Sequence, residues 1–418
     1  MVQKNRVPRV KVAEYLEFMG HKLRHVGKGS YTVDEHDSLK VTPEKNVFYW
    51  FSKGDGGGGN VGVRFLMEHL DGITDRQEQD AKFFEIYNAY RSHKVQQRSY
   101  EGYIEQHFDL MAHSFNQDIS ESSRYLTEVR GIHPKLVQVL FKQGLLAEEI
   151  KTIHSKNGNT FNATNLWYVW KNRKGEIVGA DVQATKPSKT TDLKTKEKHQ
   201  GYWKGIATGS PSSKENFNFQ IGHNEQSDRL YVFEAPVDAL SMWQLQISEF
   251  KGKTVEFVAL SSVNRNAFEE YLRVNYLSDN PRPMPKEIHF AMDNDEAGRS
   301  FTERMSKMLM IFDRLNDVKI MMDVPQEKNQ KDWNDTLRYG NDVVETYDLR
   351  TVELAEIQEF NPNWQPHKEG ESPGPQPTPN QKHQQQLLRA ASEKQVQPTH
   401  NIWSTTNYRK GTPVPIEF

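Results

Sequence analysis

Two stretches of the chain end in carboxylates placed where they can do chemistry: Leu230-Tyr231-Val232-Phe233-Glu234-Ala235-Pro236-Val237-Asp238 and Ile288-His289-Phe290-Ala291-Met292-Asp293-Asn294-Asp295-Glu296-Ala297-Gly298. Each is a short apolar run that stops at acids and then becomes an amphipathic helix, which is how a parallel α/β sheet delivers side chains to one edge. Taken singly, a strand-end Glu is ordinarily a solvated carboxylate, and an Asp-x-Asp before a glycine is ordinarily a turn with a helix cap. The order strand-Glu-helix, strand, strand-Asp-x-Asp-x-x-x-Gly-helix is far more specific. Clustered carboxylates repel one another unless a divalent cation offsets their charge. Glu234, Asp293 and Asp295 therefore read as hard oxygen donors for Mg2+ or Mn2+.

The elements that must position these acids follow from periodicity. Strands are expected at 230–233, 254–260, 287–292 and 318–322, and helices at 237–246, 268–276, 299–312 and 333–338. Strands separated by helices predict a parallel sheet with right-handed crossovers. Upstream, 165–170 and 177–183 alternate around the turn Asn172-Arg173-Lys174-Gly175 as a hairpin. Before it, a helix from Ser123 is stopped by Gly131 and restarts around Pro134, with Leu136, Val137, Leu140 and Phe141 on its apolar face. Residues 12–20 read as a helix, followed by short strands, the glycine run 56–59 and a helix over 61–70. The glycine run reads as a surface loop, with a cradle of backbone amides for phosphate as the alternative.

Lys186, Lys189, Lys194, Lys196, Lys198 and Lys204 outnumber Asp192 and Glu197 in the segment that ends at Tyr202-Trp203. This is either a solvated loop or a basic lip for a polynucleotide backbone, with Tyr202 and Trp203 available for base stacking. Lys204 and Arg173 each follow a strand-like run and are candidates for phosphate contacts.

Composition bounds the rest. Lys+Arg 54 against Asp+Glu 56 gives a net charge of -2, so only local patches argue for nucleic acid. The absence of cysteine excludes disulfides and thiolate-bound metal. No long apolar run and no signal-like N-terminus are present, which predicts a cytoplasmic protein with no membrane partner. A mean hydropathy of -0.82 is low for a compact chain, and the proline- and glutamine-rich segment 360–418 is expected to be disordered tail. No helicase P-loop of the form Gly-x-x-x-x-Gly-Lys-Ser/Thr occurs.

The ordered acid pair resembles the toprim domain shared by bacterial primases, topoisomerases and some nucleases. The resemblance implies that Glu234 is a general acid/base or metal-bound glutamate, that Asp293 and Asp295 hold magnesium, and that Gly298 lets its helix pack closely. Lys331-Asp332-Trp333-Asn334-Asp335 resembles the family's third acid stretch, with Asn334 where the second aspartate stands and Asp332 and Asp335 as the remaining ligands. The residues from His36 to Trp50 and from Gly59 to Glu68 resemble the zinc ribbon at the front of bacterial replicative primases. Its cysteines are missing: Phe51 and Gly54 stand at ligand positions, so no zinc is expected, and Tyr49, Trp50 and Phe51 are expected to plug the ribbon. Tyr125-Leu126 with Arg130-Gly131-Ile132 resembles the approach to the primase core, and the domain of unknown function that precedes toprim in mobile-element proteins.

The expectation is an α/β protein with a Rossmann-like, parallel-sheet toprim core, divided as a ribbon-like α+β domain (10–70), a helical connector (71–120), a primase-core-like domain (121–225), a toprim domain (226–345) and a tail (360–418). The implied function is that of a primase-like nucleotidyltransferase using ribonucleotides on single-stranded DNA in a plasmid or mobile element, with a helicase or relaxase as partner. The alternatives are a non-catalytic DNA-binding accessory, favoured by the missing cysteines and Asn334, and a toprim nuclease.

Overall fold

The computed structural model describes residues 7–92, 98–100, 102, 106–154, 160–191, 198–325, 330–340 and 343–357, and the chain divides into two compact units, Met1–Gln106 and His107–Phe418. Side chains are described for these residues except 154, 189–191 and 198–200. The expected tail beyond 359 lies outside the described residues. No described helix is long and apolar enough to cross a membrane.

In the first unit, α1 (Val12–Phe18) precedes an antiparallel meander of β1 (Leu23–Gly27), β2 (Ser30–Val33), β3 (His36–Thr42), β4 (Val47–Trp50) and β5 (Asp55–Gly58), followed by α2 (Gly59–His69) and α3 (Arg76–Arg91). Alternation sends Leu39, Val41, Phe48 and Trp50 inward against Tyr15, Leu16 and Leu66. Two expectations are corrected. The plug is Phe48 and Trp50, because the pleat turns Tyr49 and Phe51 outward, where their rings meet edge-on at 4.9 Å. The glycine run is no loop: its first three glycines belong to edge strand β5, where a Cβ on Gly56 would stand 2.7 Å from both the Phe48 carbonyl oxygen and the Tyr49 ring. Glycine is needed there for close approach. Helix α3, in the stretch read as a connector, buries Phe83 and Ile86 in this same core.

The second unit opens with α4 (Ser120–Arg124), a π-helical turn over Tyr125–Val129, a reversal at Gly131 with φ of 71° and α5 (Pro134–Lys142). Then come β6 (Leu146–His154), β7 (Thr160–Lys171), β8 (Ile177–Ala184), the separate pair β9 (Ser188–Thr191) and β10 (Lys198–Gly201), and β11 (Lys204–Ile206); the antiparallel sheet has the order β11-β8-β7-β6. Both its faces are covered: Leu166, Tyr168 and Trp170 of β7 point to one core, and Trp167 and Val169 to another.

The remaining elements are β12 (Phe217–Ile221), β13 (Arg229–Phe233), α6 (Pro236–Leu245), β14 (Val255–Ala259), α7 (Arg265–Tyr276), β15 (Glu287–Phe290), α8 (Glu296–Met310), β16 (Lys319–Pro325), α9 (Trp333–Tyr339) and β17 (Val344–Asp348). They form a six-stranded sheet in the order β12-β14-β13-β15-β16-β17. The four central strands are parallel, as the strand–helix alternation predicts, and β12 and β17 close the edges antiparallel. Residues such as Tyr231, Phe233 and Phe257 face α6 and the neighbouring sheet, while Leu230, Val232, Ile288 and Phe290 face α7 and α8. Buried on both sides, these strands read as continuous apolar runs.

Candidate carboxylate site

All four parallel strands end on one side, and their following loops are tied together by main-chain bonds. Glu234 follows β13 directly, with Pro236 in the first turn of α6. The Ser262 N–H, in the loop after β14, donates to the Glu234 carbonyl at 3.0 Å. Asp295 caps α8 by accepting from the Gly298 N–H at 3.0 Å, and Asp332 caps α9 by accepting from the Asp335 N–H at 2.7 Å. The Asn294 N–H donates to the Lys331 carbonyl at 2.8 Å, and the Trp333 indole N–H to the Ala291 carbonyl at 2.8 Å. The two acidic loops are thereby fixed side by side.

Between them stands a lysine. The Lys331 ammonium lies 3.2 Å from Asp293 Oδ2 and 2.9 Å from Asp295 Oδ2. Burial lowers its pKa, and the two aspartates more than reverse this. Glu234 faces the same charges with less relief: burial first, then Asp293 and Asp295, push its carboxyl well above the usual range. Its Oε1 is buried without a hydrogen-bond partner. Asp293 is pushed up to about 7, chiefly by burial and by Asp332, with Lys331 opposing. Gly298 makes the packing possible, since a Cβ there would meet the Asp293 carbonyl oxygen at 2.1 Å and Glu234 Oε1 at 2.9 Å.

Asn334 is engaged in structural hydrogen bonds. It is buried, and its amide Nδ2 donates to the Arg130 carbonyl at 2.8 Å and to Ser241 Oγ at 3.0 Å, while its backbone N–H donates to Asp238 Oδ1 at 3.0 Å. It pins the π-helical turn, α6 and α9 to one another. Asp335 occupies the first turn of α9, half-buried. Asp238, in the first turn of α6 and four residues after Glu234, is also buried. Burial, Asp332 and Asp293 push its carboxyl well up; the available signal was an acid in the first turn of the helix that follows Glu234.

The nucleic-acid candidates divide. Tyr202 packs on Tyr125 at 4.9 Å, and the Arg130 guanidinium lies over both rings, at 5.8 and 5.3 Å, while reaching Asn334 Oδ1 at 3.4 Å. Exposed Lys204 exerts its charge on the buried Asp181 and Asp238. Trp203 is 49% exposed, its six-membered ring close against Gly205. Lys186 is exposed and 3.7 Å from Glu121. Arg173 is drawn elsewhere: it donates to the Val274 carbonyl and Ser278 Oγ at the carboxyl end of α7. That helix runs back from the acidic edge, so its carboxyl end belongs to the opposite side of the sheet. Lys194 and Lys196 lie outside the described residues, as do the side chains of Lys189 and Lys198.

Carboxylates with one buried, unpartnered oxygen have the donor chemistry of a hard divalent cation. Among the described residues, no three or more His, Asp or Glu side chains are arranged to hold a metal ion as they stand.

Comparison with known proteins agrees with the fold. The toprim-like family model matches residues 231–337, and a family of proteins of unknown function, DUF3991, matches residues 124–225. Both matched segments fall within the second unit, the toprim-like one following the other. An uncharacterized protein of Bacillus anthracis is 25% identical over 324 residues, 73% of this chain and 80% of that protein. Two structures from bacteriophage T7 are also similar. The primase fragment of the primase-helicase protein has 17% identity and a TM-score of 0.34, covering 60% of this chain and 82% of that one. A chain from the complex of lagging-strand DNA polymerase with primase domains on an RNA/DNA hybrid has 19% identity and a TM-score of 0.31, covering 51% and 85%.

Proposed function

We propose that this protein is a primase-like, magnesium-dependent nucleotidyltransferase that joins ribonucleotides on single-stranded DNA, in replication or transfer of a plasmid or mobile element. The observation that carries the reading is the buried, unpartnered Glu234 Oε1 set against Asp293 and Asp295 at the carboxyl edge of a parallel sheet. Glu234, Asp293 and Asp295 would hold Mg2+ or Mn2+, with Asp332 and Asp335 on the adjoining loop. When bound, the ion supplies Lewis-acid stabilisation of phosphoryl oxygens. The chain's own groups do the rest. Glu234, whose carboxyl burial and the neighbouring aspartates push well above the usual carboxylate range, is the group of the three placed to hold or move a proton until a cation offsets those charges. Arg130, Lys204, Tyr202 and Trp203 supply charge and ring faces for a single strand. A helicase partner would supply translocation, and a relaxase is the other candidate partner.

A second reading, a non-catalytic DNA-binding accessory, is favoured by the Lys331 ammonium lying between the two aspartates. Incubation with primed and unprimed single-stranded DNA, labelled ribonucleotides and Mg2+ or Mn2+ separates the possibilities. Primer products that vanish in the Asp293→Ala/Asp295→Ala variant support the proposal. Cleavage would indicate a nuclease, and binding without either product would indicate the accessory; both outcomes overturn it.

A further inference from the structure

We infer that Lys331 is the resident counter-ion of Asp293 and Asp295, and that a divalent cation reaches these aspartates only by displacing its ammonium. This rests on the reading that the carboxylate edge takes a divalent metal. The ammonium sits against one oxygen of each aspartate, at 3.2 and 2.9 Å. An ion coordinating those same oxygens at the roughly 2.0–2.1 Å that Mg2+ demands occupies the space the ammonium holds. Two cations cannot share it.

The surroundings allow the exchange. The backbone at Lys331 is fixed, its carbonyl accepting from the Asn294 N–H and the next residue capping α9. Its side chain is 33% exposed, on a flexible four-carbon stem. Movement is therefore confined to that side chain. Glu234 Oε1 has no partner, lysine included, so a third donor stands ready beside two that are already engaged. Lys331 thus relieves the repulsion between Asp293 and Asp295 before metal arrives, and metal entry and release of the ammonium are one event.

The test is Mn2+ binding to the full chain, measured from the electron paramagnetic resonance signal of the free ion, in wild type and in Lys331→Gln, Lys331→Arg, Lys204→Gln and Asp295→Asn. Lys204 is the control for charge acting through space, because it influences the neighbouring buried acids without bridging Asp293 and Asp295. Lys331→Gln should tighten binding about tenfold or more, equivalent to about 1.4 kcal/mol. Lys331→Arg should not tighten it, and Lys204→Gln should change it by less than about threefold, as expected for a partly screened charge. Wild-type binding that Lys331→Gln leaves within about twofold, or that both Gln variants shift equally, overturns the inference while leaving the metal site standing. If neither wild type nor Lys331→Gln binds Mn2+, or if binding persists unchanged in Asp295→Asn, the metal reading itself falls and this inference with it.

Discussion

Replacing Gly298 by alanine is a sharp test of the site's construction because general helix energetics and this structure give opposite signs. Gly298 lies in the first turn of α8 with ordinary helical backbone, and alanine at such a position usually gains about 0.5–1 kcal/mol. Here the new Cβ would stand 2.1 Å from the Asp293 carbonyl oxygen and 2.9 Å from Glu234 Oε1. The first neighbour is main chain, so the start of α8 and the Asp293 loop must separate by more than an ångström. Forced overpacking of this kind costs about 1–3 kcal/mol. The net expectation is a loss of about 0–2.5 kcal/mol, centred near 1, or a fall in melting temperature of roughly 2–4 °C per kcal/mol for a unit of this size. Thermal and urea unfolding monitored by circular dichroism measure it. Primer synthesis should fall further than stability does, since the displaced groups are the carboxylates themselves. A Gly298→Ala protein more stable than wild type, with activity intact, would refute the close approach of α8 to Asp293 and Glu234.

Two further outcomes follow from groups around the site. Asn334→Asp restores the family-like carboxylate but deletes both Nδ2 donations, to the Arg130 carbonyl and Ser241 Oγ, at a cost of about 1–3 kcal/mol for the buried groups left unpaired; urea midpoints should drop, and Mn2+ affinity should not rise. The buried His289 lies between Asp323 Oδ2 at 2.7 Å and Glu287 Oε2 at 3.1 Å. Burial lowers the His289 pKa, but the two acids reverse this, leaving it raised; Glu287 is held down at about 2 by His289 first, with burial opposing. The raised His289 contributes stability that is full below its unfolded value of about 6.5 and fades as pH rises through its folded value. Depressed Glu287 contributes stability that is full above about 4.3 and fades as pH falls toward 2. The stability difference between wild type and His289→Gln should therefore be larger at pH 5.5 than at pH 9. An equal difference at both would exclude the charged network.

The toprim-like sheet was legible because its central strands are buried on both faces and its helices carry one apolar stripe each. The edges were less so. Phe217, Phe219 and Ile221 alternate with Asn218 and Gln220, a strand signal only five residues long and outside the acidic stretches, and β17 has no apolar alternation to read. In the site, residue types announced Glu234, Asp293 and Asp295. Lys331 and Asn334 were visible only as letters of a motif, since which oxygens an ammonium reaches and which carbonyls an amide binds depend on loops brought together from distant parts of the chain. Arg173 shows the converse: a cation after a strand suggests a phosphate, but a helix carboxyl end attracts it equally well. The glycine run misled because glycine suits both a loop and a strand under an aromatic ring.

Strand β12 lies within the segment matched by the uncharacterized family, yet it pairs along its whole length with β14 of the toprim-like sheet. A fragment beginning at residue 231 would leave β14 with a bare row of amides and carbonyls, inviting aggregation. The border between the two families is thus a border in sequence and not in matter, and gene shuffling that parted them at that border would break a sheet. We expect the pair to be inherited together, and an excised toprim-like half to need its missing strand supplied in trans before it becomes soluble.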